Sequence, residues 1–555
     1  MSGLSVRHRR IRKNARMLIG DDRRLKRKCS KSLPACSLCV RLGKECDYSD
    51  SMPTDNVISP HGERLPYASQ SPRTAETMLP RIGFRDRVQG PVPPFPPEFF
   101  LDQDHLSPLM TNALAPIRQS SVRRIASEYL ESDGLALCER YFTSFHTWLP
   151  VISKKRIMHE LRETHTERDS CHELLLLCMK LCTTTPSNQP AESDLYLLTR
   201  SLCSSVESAG FVCLQLIQCL VLLTAFELSH AIYPAAYLTI GRAARLGLLM
   251  GFGRRQTQPL FKPAETWTLR EEQRRTWWAV FVLERFIHIE PSCLPFATPE
   301  PEVDELLPIN DDDWDNGKIV PSEALYTTAF SSMTNMGLFA QLCQAAHMLS
   351  MVIQHKRAKK HTHDVSGTLE EAKGLHYALS ALQSAIEETN PDYEALSSLR
   401  PAAQGAFAVC VCARYLLYSL YACNENQCTT APEPSVLGTE MQGLSLGGIK
   451  AIAFSAVPKM LRDTPECPLL AHCLYLTGTE CAWFLQEDHE PEVRDAFRQV
   501  VQGLECIGKQ WAIGLEYLAL LDRNGALKLI DSSDYGFYSS LVQARQGLLA
   551  TWHLD

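Results

Sequence analysis

Apolar residues recur at three- and four-residue intervals through most of the chain. One such series consists of Leu214, Ile217, Val221, Ala225 and Leu228. This spacing places the apolar side chains on one face of an α-helix, because a helix completes a turn every 3.6 residues. Alternating polar and apolar runs, which are typical of β-strands, are scarce. The pattern predicts an all-α body that begins near residue 125.

The predicted helical body covers about 430 residues, which exceeds the size at which a single hydrophobic core usually stops growing. We therefore expect two packed helical subregions that join near residues 400–440. Ala431–Gly448 contains two prolines and four glycines and is interpreted as a linker or loop. This divides the body into a regulatory domain at 125–430 and a C-terminal helical region at 431–555.

The first 124 residues have a different composition. Residues 51–100 contain ten prolines, a composition that cannot bury enough apolar surface to fold. We predict a disordered Pro-rich linker over 51–124, a basic disordered N-terminus over 1–22, and a small cysteine-bearing segment over 23–50. Residues 1–50 hold 14 lysines and arginines against five acidic residues, whereas the rest of the chain is acidic. This asymmetry is typical either of a polyanion-binding arm or of a solvated tail.

The chain has 21 cysteines and no apolar segment after its basic N-terminus, so we expect a reducing compartment without disulfides. Cysteines in the apolar helical stretches, such as Cys178, Cys213 and Cys219, are interpreted as small hydrophobic residues. The longest apolar run, from Phe211 to Leu228, is interrupted by polar side chains. It fits a buried core helix better than a membrane span, so we predict no membrane partner.

Four cysteines in the basic segment form a separate group. Their spacing is Cys29-x6-Cys36-x2-Cys39-x6-Cys46, directly after the basic run 23–28. Thiolates this close together bind zinc in tetrahedral geometry, and the metal supplies folding energy to a segment too short for a core. The preceding cations lie where phosphate would bind. The pattern predicts a zinc site beside a DNA-contacting surface.

The segment resembles the second part of the fungal binuclear zinc cluster, a six-cysteine module. The resemblance implies that the four cysteines ligate Zn²⁺ as the third to sixth ligands of the module. It also implies that Lys26 reads guanine in CGG-type half-sites of double-stranded DNA, and that Arg23 and Lys28 contact phosphates.

The sequence departs from this module at its start. Ile19 and Asp22 stand where the first two cysteines are expected. Three explanations remain open: an upstream exon that encodes the missing pair, a single zinc held by the four thiolates, or loss of DNA binding. We favour the first, because the match begins at Arg23 without a gap while residues 1–22 match nothing.

Four blocks of the helical body resemble the middle homology region of the same fungal regulators, in the same order. They cover residues 141–157, 212–252, 270–287 and 296–315. The resemblance implies a nuclear transcription factor of RNA polymerase II genes that senses signals through its helical domain. Transcription machinery or co-regulators are the expected protein partners. A homodimer is also open, although residues 51–100 show no heptads for a coiled coil. The alternative is a nuclear regulator that has lost DNA binding and acts through protein contacts.

Most charged and aromatic residues of these blocks receive structural interpretations. Trp277, Trp278 and Phe281 are predicted to be core residues. A charged helix face is predicted where Arg274 and Arg275 lie beside two glutamates. Buried ion pairs between helices are predicted among Arg242, Arg245 and Glu284. The acidic stretch 302–315 is interpreted mainly as a structural loop and less as an activation segment.

Catalytic interpretations are weak, and we predict that the protein is not an enzyme. Gly443-Leu-Ser445-Leu-Gly447 matches a nucleophile elbow, but that motif requires a preceding strand, and a loop before a helix is the simpler interpretation. His361 and His363 could ligate a metal, but several lysines and an arginine precede them, which favours an exposed loop.

Overall fold

The structure is a computed structural model of the 555-residue chain. It describes residues 100, 120–130, 134–162, 170–184, 189–253, 264–325, 336–362, 364–388, 400–422, 436–462, 464–487 and 491–530. The fold of this part is all-α, as predicted. Its only extended pairing is an isolated antiparallel bridge between Leu306 and Ala324.

The α-helices of the described part are, in chain order, α1 (Ser120–Tyr129), α2 (Gly134–Thr143), α3 (Lys154–Arg162), α4 (Ser170–Thr183), α5 (Asp194–Ser208), α6 (Leu214–Ser229), α7 (Ala235–Leu249), α8 (Trp267–Ile287), α9 (Asp311–Asp315), α10 (Leu338–Lys359), α11 (Val365–Glu388), α12 (Arg400–Tyr418), α13 (Val436–Ala451), α14 (Val457–Met460), α15 (Leu470–Glu487), α16 (Pro491–Gly508) and α17 (Ala512–Arg523). A π-helical segment, Ile452–Ala456, joins α13 to α14, and short 3₁₀-helices cover Phe145–Thr147, Pro190–Glu192 and Ala526–Leu529.

Local sequence determines several of these helix ends. Thr266 caps α8 by accepting a hydrogen bond from the backbone N–H of Leu269 at 3.1 Å. After the C-terminal end of α7, Gly251 adopts a left-handed φ of 82°, and the N–H of Phe252 donates to the carbonyl of Gly247 at 2.9 Å. This bonding satisfies carbonyls that the helix leaves unpaired, and the left-handed position favours glycine because it lacks a Cβ.

Helices α6 and α8 lie at the centre of the fold. Apart from Gln215, every residue of α6 is buried, so this helix has no polar face. The second half of α8 is also buried on all sides. Elsewhere, α10 packs along α12, and α15 packs along α16. Among the described residues, no helix is long and apolar enough to cross a membrane.

The expected join between two helical subregions near 400–440 is wrong. One continuous apolar core runs from Val122 to Ile530, and the described residues belong to one compact unit. Helix α12 occupies the predicted join and packs against α10, α11 and α15. The Trp511 ring, just before α17, lies 6.1 Å from that of Phe145.

Two predicted loop boundaries also require correction. The predicted linker over 51–124 ends too late, because α1 already begins at Ser120. The predicted loop Ala431–Gly448 is helical from Val436 onward. Gly448 is buried there, and a Cβ on it would clash with the Tyr418 ring. Glycine therefore permits close helix packing at this position and does not break the helix.

Candidate functional site

The residues predicted to contact DNA and zinc lie outside the described residues. They are Arg23, Lys26, Lys28, Cys29, Cys36, Cys39 and Cys46. Their donor chemistry fits one zinc ion, since four thiolates complete a tetrahedral site. The same set does not fit a bridged pair of metals, because Ile19 and Asp22 supply no thiolate. Within the described part, no group of three or more metal-ligating side chains is close enough to hold an ion.

The helical domain contains a chain of buried ion pairs along α8. At its N-terminal end, the buried Glu272 carboxylate accepts hydrogen bonds from Arg156 Nε and Nη2, both at 2.8 Å. It also accepts from Gln218 Nε2 and from the backbone N–H of Ser153, both at 3.1 Å. One carboxylate therefore connects α8 to α3, to α6 and to the loop before α3.

Arg275 is the centre of the second group of ion pairs along α8. Its guanidinium is fully buried and donates to Glu271 Oε1 at 3.1 Å, to Asp311 Oδ1 at 2.8 Å and to the Ile309 carbonyl at 2.8 Å. Asp311 Oδ2 in turn accepts the backbone N–H of Phe339 at 3.1 Å, in the first turn of α10. The guanidinium lies 5.0 Å from the centre of the Trp314 ring. Arg275 thus fixes α9 and the start of α10 against α8.

Arg285 forms the third part, near the C-terminal end of α8. It donates to Glu284 Oε2 at 2.7 Å, to Glu300 Oε1 at 2.9 Å and to Ser350 Oγ at 2.7 Å. Its guanidinium carbon lies 3.8 Å from the centre of the Phe296 ring. Burial lowers the pKa of Arg285 below its ordinary value, and the carboxylates of Glu300 and Glu284 counteract that shift.

The hydrogen bonds of these three groups of residues, around Glu272, Arg275 and Arg285, indicate a structural role. A buried charge is costly unless it is paired and hydrogen-bonded, and each arginine here has at least one carboxylate and further acceptors. A shallow cleft bordered by Trp277, Trp278, Phe281 and Glu300 lies beside the Arg285 group. The network fixes the segment that follows α8, through Glu300, Ile309 and α9, against α8.

The structure tests the interpretations of these residues separately. The prediction that Trp277, Trp278 and Phe281 are core residues is confirmed. The predicted charged pairs along α8 do form, since Glu271 pairs with both Arg274 and Arg275, but Arg275 and the two glutamates are buried. The sequence shows that these residues are charged, but it does not show which elements cover them in the fold.

The predicted pairing of Arg242 and Arg245 with Glu284 is wrong. Arg242 Nη1 pairs with Glu207 Oε2 at 2.8 Å, which joins α7 to α5. Arg245 is exposed, and Glu284 pairs with its sequence neighbour Arg285. Helical spacing gives the face on which a residue lies, but it does not identify the partner helix.

The weak catalytic motif has no catalytic geometry. Ser445 is fully buried inside α13, and its hydroxyl donates to the Met441 carbonyl at 2.8 Å. A nucleophile elbow instead requires a strand followed by a sharp turn. His361 is exposed just after α10, and His363 lies outside the described residues.

A large helical domain preceded by a basic four-cysteine segment is the organisation of a zinc-dependent transcription regulator. The family model described as the fungal specific transcription factor domain matches residues 138–379. The model described as the fungal Zn(2)-Cys(6) binuclear cluster domain matches residues 23–55. The chain belongs to the family of fungal zinc-cluster transcription factors, and the cluster match implies zinc as its cofactor.

Three relatives illustrate the extent of this similarity. Transcription factor BOA15 of Botryotinia fuckeliana is 38% identical over 140 residues, which are 24% of this chain and 76% of the relative. The pigment biosynthesis transcriptional activator pigB of Monascus ruber is 23% identical over 58% of this chain and 61% of its own. The ascochitine biosynthesis cluster transcriptional regulator of Didymella fabae is 25% identical over 37% of this chain and 38% of its own. The chain therefore spans less than two thirds of the last two relatives.

Proposed function

We propose that this protein binds double-stranded DNA through Cys29–Cys46 and controls transcription in the nucleus through its helical domain. The observation that carries the proposal is the pair of family matches, over 23–55 and 138–379 in one chain. The charge distribution supports it, because a basic N-terminal segment precedes an acidic body.

The proposed contacts follow from the chemistry of the basic segment. Lys26 donates to the guanine N7 and O6 acceptors of a CGG half-site in the major groove. Arg23 and Lys28 neutralise phosphates and position the segment on the duplex. Zinc, when bound, supplies the folding energy that fixes these side chains relative to each other.

A single zinc ion held by four thiolates is the metal state that we propose for the printed sequence. Four sulfur ligands satisfy zinc without the missing pair. Dimers, if they form, use the helical body, and the same body recruits co-regulators or transcription machinery.

We further propose that the target genes belong to a small-molecule biosynthesis cluster. Two relatives support this, since one is an activator of pigment biosynthesis and the other a regulator of an ascochitine biosynthesis cluster. Comparing transcripts of strains with and without the gene tests the proposal. The expected result is a coordinated change in a group of adjacent biosynthetic genes.

Zinc content and duplex binding of the full-length protein test the DNA-binding proposal. We expect about one zinc per chain and a preference for a CGG duplex over a scrambled duplex. Replacing Cys36 and Cys39 by alanine removes two of the four ligands and abolishes both properties. Cys293→Ala is the matched control, because Cys293 is an exposed cysteine of the helical domain.

A second pair of variants separates base reading from general charge. Lys26→Ala should lose about 1–3 kcal/mol of discrimination for CGG over scrambled DNA. Lys13→Ala, in the basic N-terminus, should weaken binding to both duplexes equally. A wild-type protein with no zinc and no preference for CGG contradicts the proposal and supports the alternative of a regulator that acts by protein contacts alone.

A further inference from the structure

Five cysteines of the N-terminal helices lie at the junction of α4, α5 and α6. Cys171 and Cys178 belong to α4, and Cys203 belongs to α5. Cys213 lies at the start of α6, and Cys219 lies about one and a half turns further along that helix. The Cys178 thiol lies near those of Cys203 and Cys219. Cys213 is the partly exposed member of this group, and the other four thiols are fully buried.

The outer pair, Cys213 and Cys171, is in direct contact. Cys213 Sγ donates to Cys171 Sγ at 3.5 Å. A disulfide requires a sulfur–sulfur distance of about 2.05 Å, so the two atoms need to approach by only about 1.5 Å. Cys213 is the N-cap residue of α6, but its side chain makes no capping hydrogen bond. Moving its sulfur therefore costs α6 no cap.

Exposure gives the two thiols different roles. Cys213 is partly exposed, whereas Cys171 is buried behind it. The deeper thiols are poor nucleophiles, because burial raises the pKa of Cys219 to about 12 and that of Cys178 well above its usual value. An oxidant from solvent meets Cys213 first, and Cys171 is the thiol in contact with the product.

We propose that Cys213 and Cys171 form an oxidative modification site at which hydrogen peroxide converts the two thiols into a disulfide between α4 and α6. Cys213 sulfur attacks one peroxide oxygen, the O–O bond breaks, and the leaving oxygen takes the thiol proton and departs as water. Cys213 is then a sulfenic acid. Cys171 sulfur attacks Cys213 sulfur, the S–S bond forms, the S–O bond breaks, and a second water leaves with the Cys171 proton.

The disulfide would fasten the first turn of α4 to the N-cap of α6. These two positions are 42 residues apart in sequence, so the bond closes a loop that contains all of α5. Both helices pack on each other in the core. In a reducing compartment the bond is reversible by thiol exchange, so the site reports peroxide and then resets.

Peptide mapping of the zinc-loaded full-length protein tests this proposal. The protein is treated with about one equivalent of hydrogen peroxide, the remaining thiols are alkylated under denaturing conditions, and the digest is sequenced by tandem mass spectrometry. We expect a peptide pair linked through Cys171 and Cys213 that dithiothreitol separates. Because the tryptic peptides also contain Cys178, Cys203 and Cys219, fragmentation within each linked peptide must locate the bond.

Two variants distinguish the attacking thiol from the resolving thiol. In Cys171→Ser, Cys213 should stop at the sulfenic acid, which a 1,3-dione reagent captures. In Cys213→Ser, Cys171 should remain fully alkylatable after peroxide. Exposed Cys293 is the internal control for general oxidation. The proposal is overturned if peroxide oxidises Cys293 while Cys213 stays reduced, or if wild-type Cys213 proceeds to sulfinic acid without linking to Cys171.

Discussion

Replacement of Arg275 by methionine is the strongest perturbation of the ion-pair network along α8. Methionine keeps the unbranched apolar start of the arginine side chain, so the change removes the charge, the donors and the planar guanidinium that lies over the Trp314 and Phe339 rings. Arg275 is fully buried, and it donates to two carboxylates and to the Ile309 carbonyl. The variant leaves those acceptors without their principal donor.

The expected cost is about 3–5 kcal/mol of unfolding free energy, which is typical when one member of a buried ion pair is removed. In the variant, the Glu271 carboxylate still accepts a hydrogen bond from the N–H of Ile309 at 2.9 Å and still pairs with Arg274. These contacts compensate only in part for the loss of the Arg275 guanidinium. Asp311 is partly exposed and can regain water, which places the expected loss nearer the lower end of the range.

Urea unfolding followed by helical circular dichroism measures this loss in the full-length protein. Arg245→Met is the matched control, because Arg245 is an exposed arginine on α7, and it should change the unfolding free energy by less than about 0.5 kcal/mol. A loss below about 1 kcal/mol in Arg275→Met would refute the reasoning, since it would mean that the buried guanidinium is nearly balanced by its desolvation cost.

Three further predictions concern single positions elsewhere in the helical domain. Gly448→Ala should destabilise the protein by about 1–3 kcal/mol in urea unfolding, because its Cβ would meet the Tyr418 ring, whereas Gly447→Ala, with open space around it, should be neutral or stabilising. Burial lowers the pKa of His472 to about 4, so the unfolded chain binds a proton first as pH falls below 6.5. Between pH 6.5 and 4, His472 should therefore reduce stability by up to about 1.4 kcal/mol per pH unit, and unfolding curves of His472→Gln should lack that component. Ser445→Ala should cost less than about 1.5 kcal/mol and leave DNA binding unchanged, since its hydroxyl bonds only within α13; a large loss of DNA binding would contradict that role.

The apolar periodicity predicted the helices correctly, even for α6, which is buried on nearly every side and not on one face alone. Leu214 to Leu228 indeed form a core helix, and the tryptophans at 277 and 278 are buried as expected. Periodicity depends only on local spacing, so it needs no knowledge of the partner helix. The four ordered blocks likewise led to the family that the comparisons show.

Charges and glycines were harder to interpret from the sequence. Glu271, Glu272 and Arg275 resemble a solvated helix face, because lysine, arginine and acidic residues are rarely buried unless they are paired. Their partners are supplied by segments that are distant in sequence, such as the Ile309 carbonyl 34 residues away. Gly448 was interpreted as part of a loop because its packing against Tyr418 is visible only in three dimensions.

The placement of Trp511 has a consequence for where this protein can be divided. Its ring lies 5.6 Å from that of His230, and the next backbone N–H, that of Ala512, donates to His230 Nδ1 at 3.3 Å. The region matched to the fungal regulator domain ends at residue 379, but the residues that cover its core lie more than a hundred positions later. Homology and folding thus have different boundaries in this chain. A fragment cut at the end of the match would lose the packing of α12 against α10 and of α17 against α6, so apolar surface that is buried in the whole chain would be exposed.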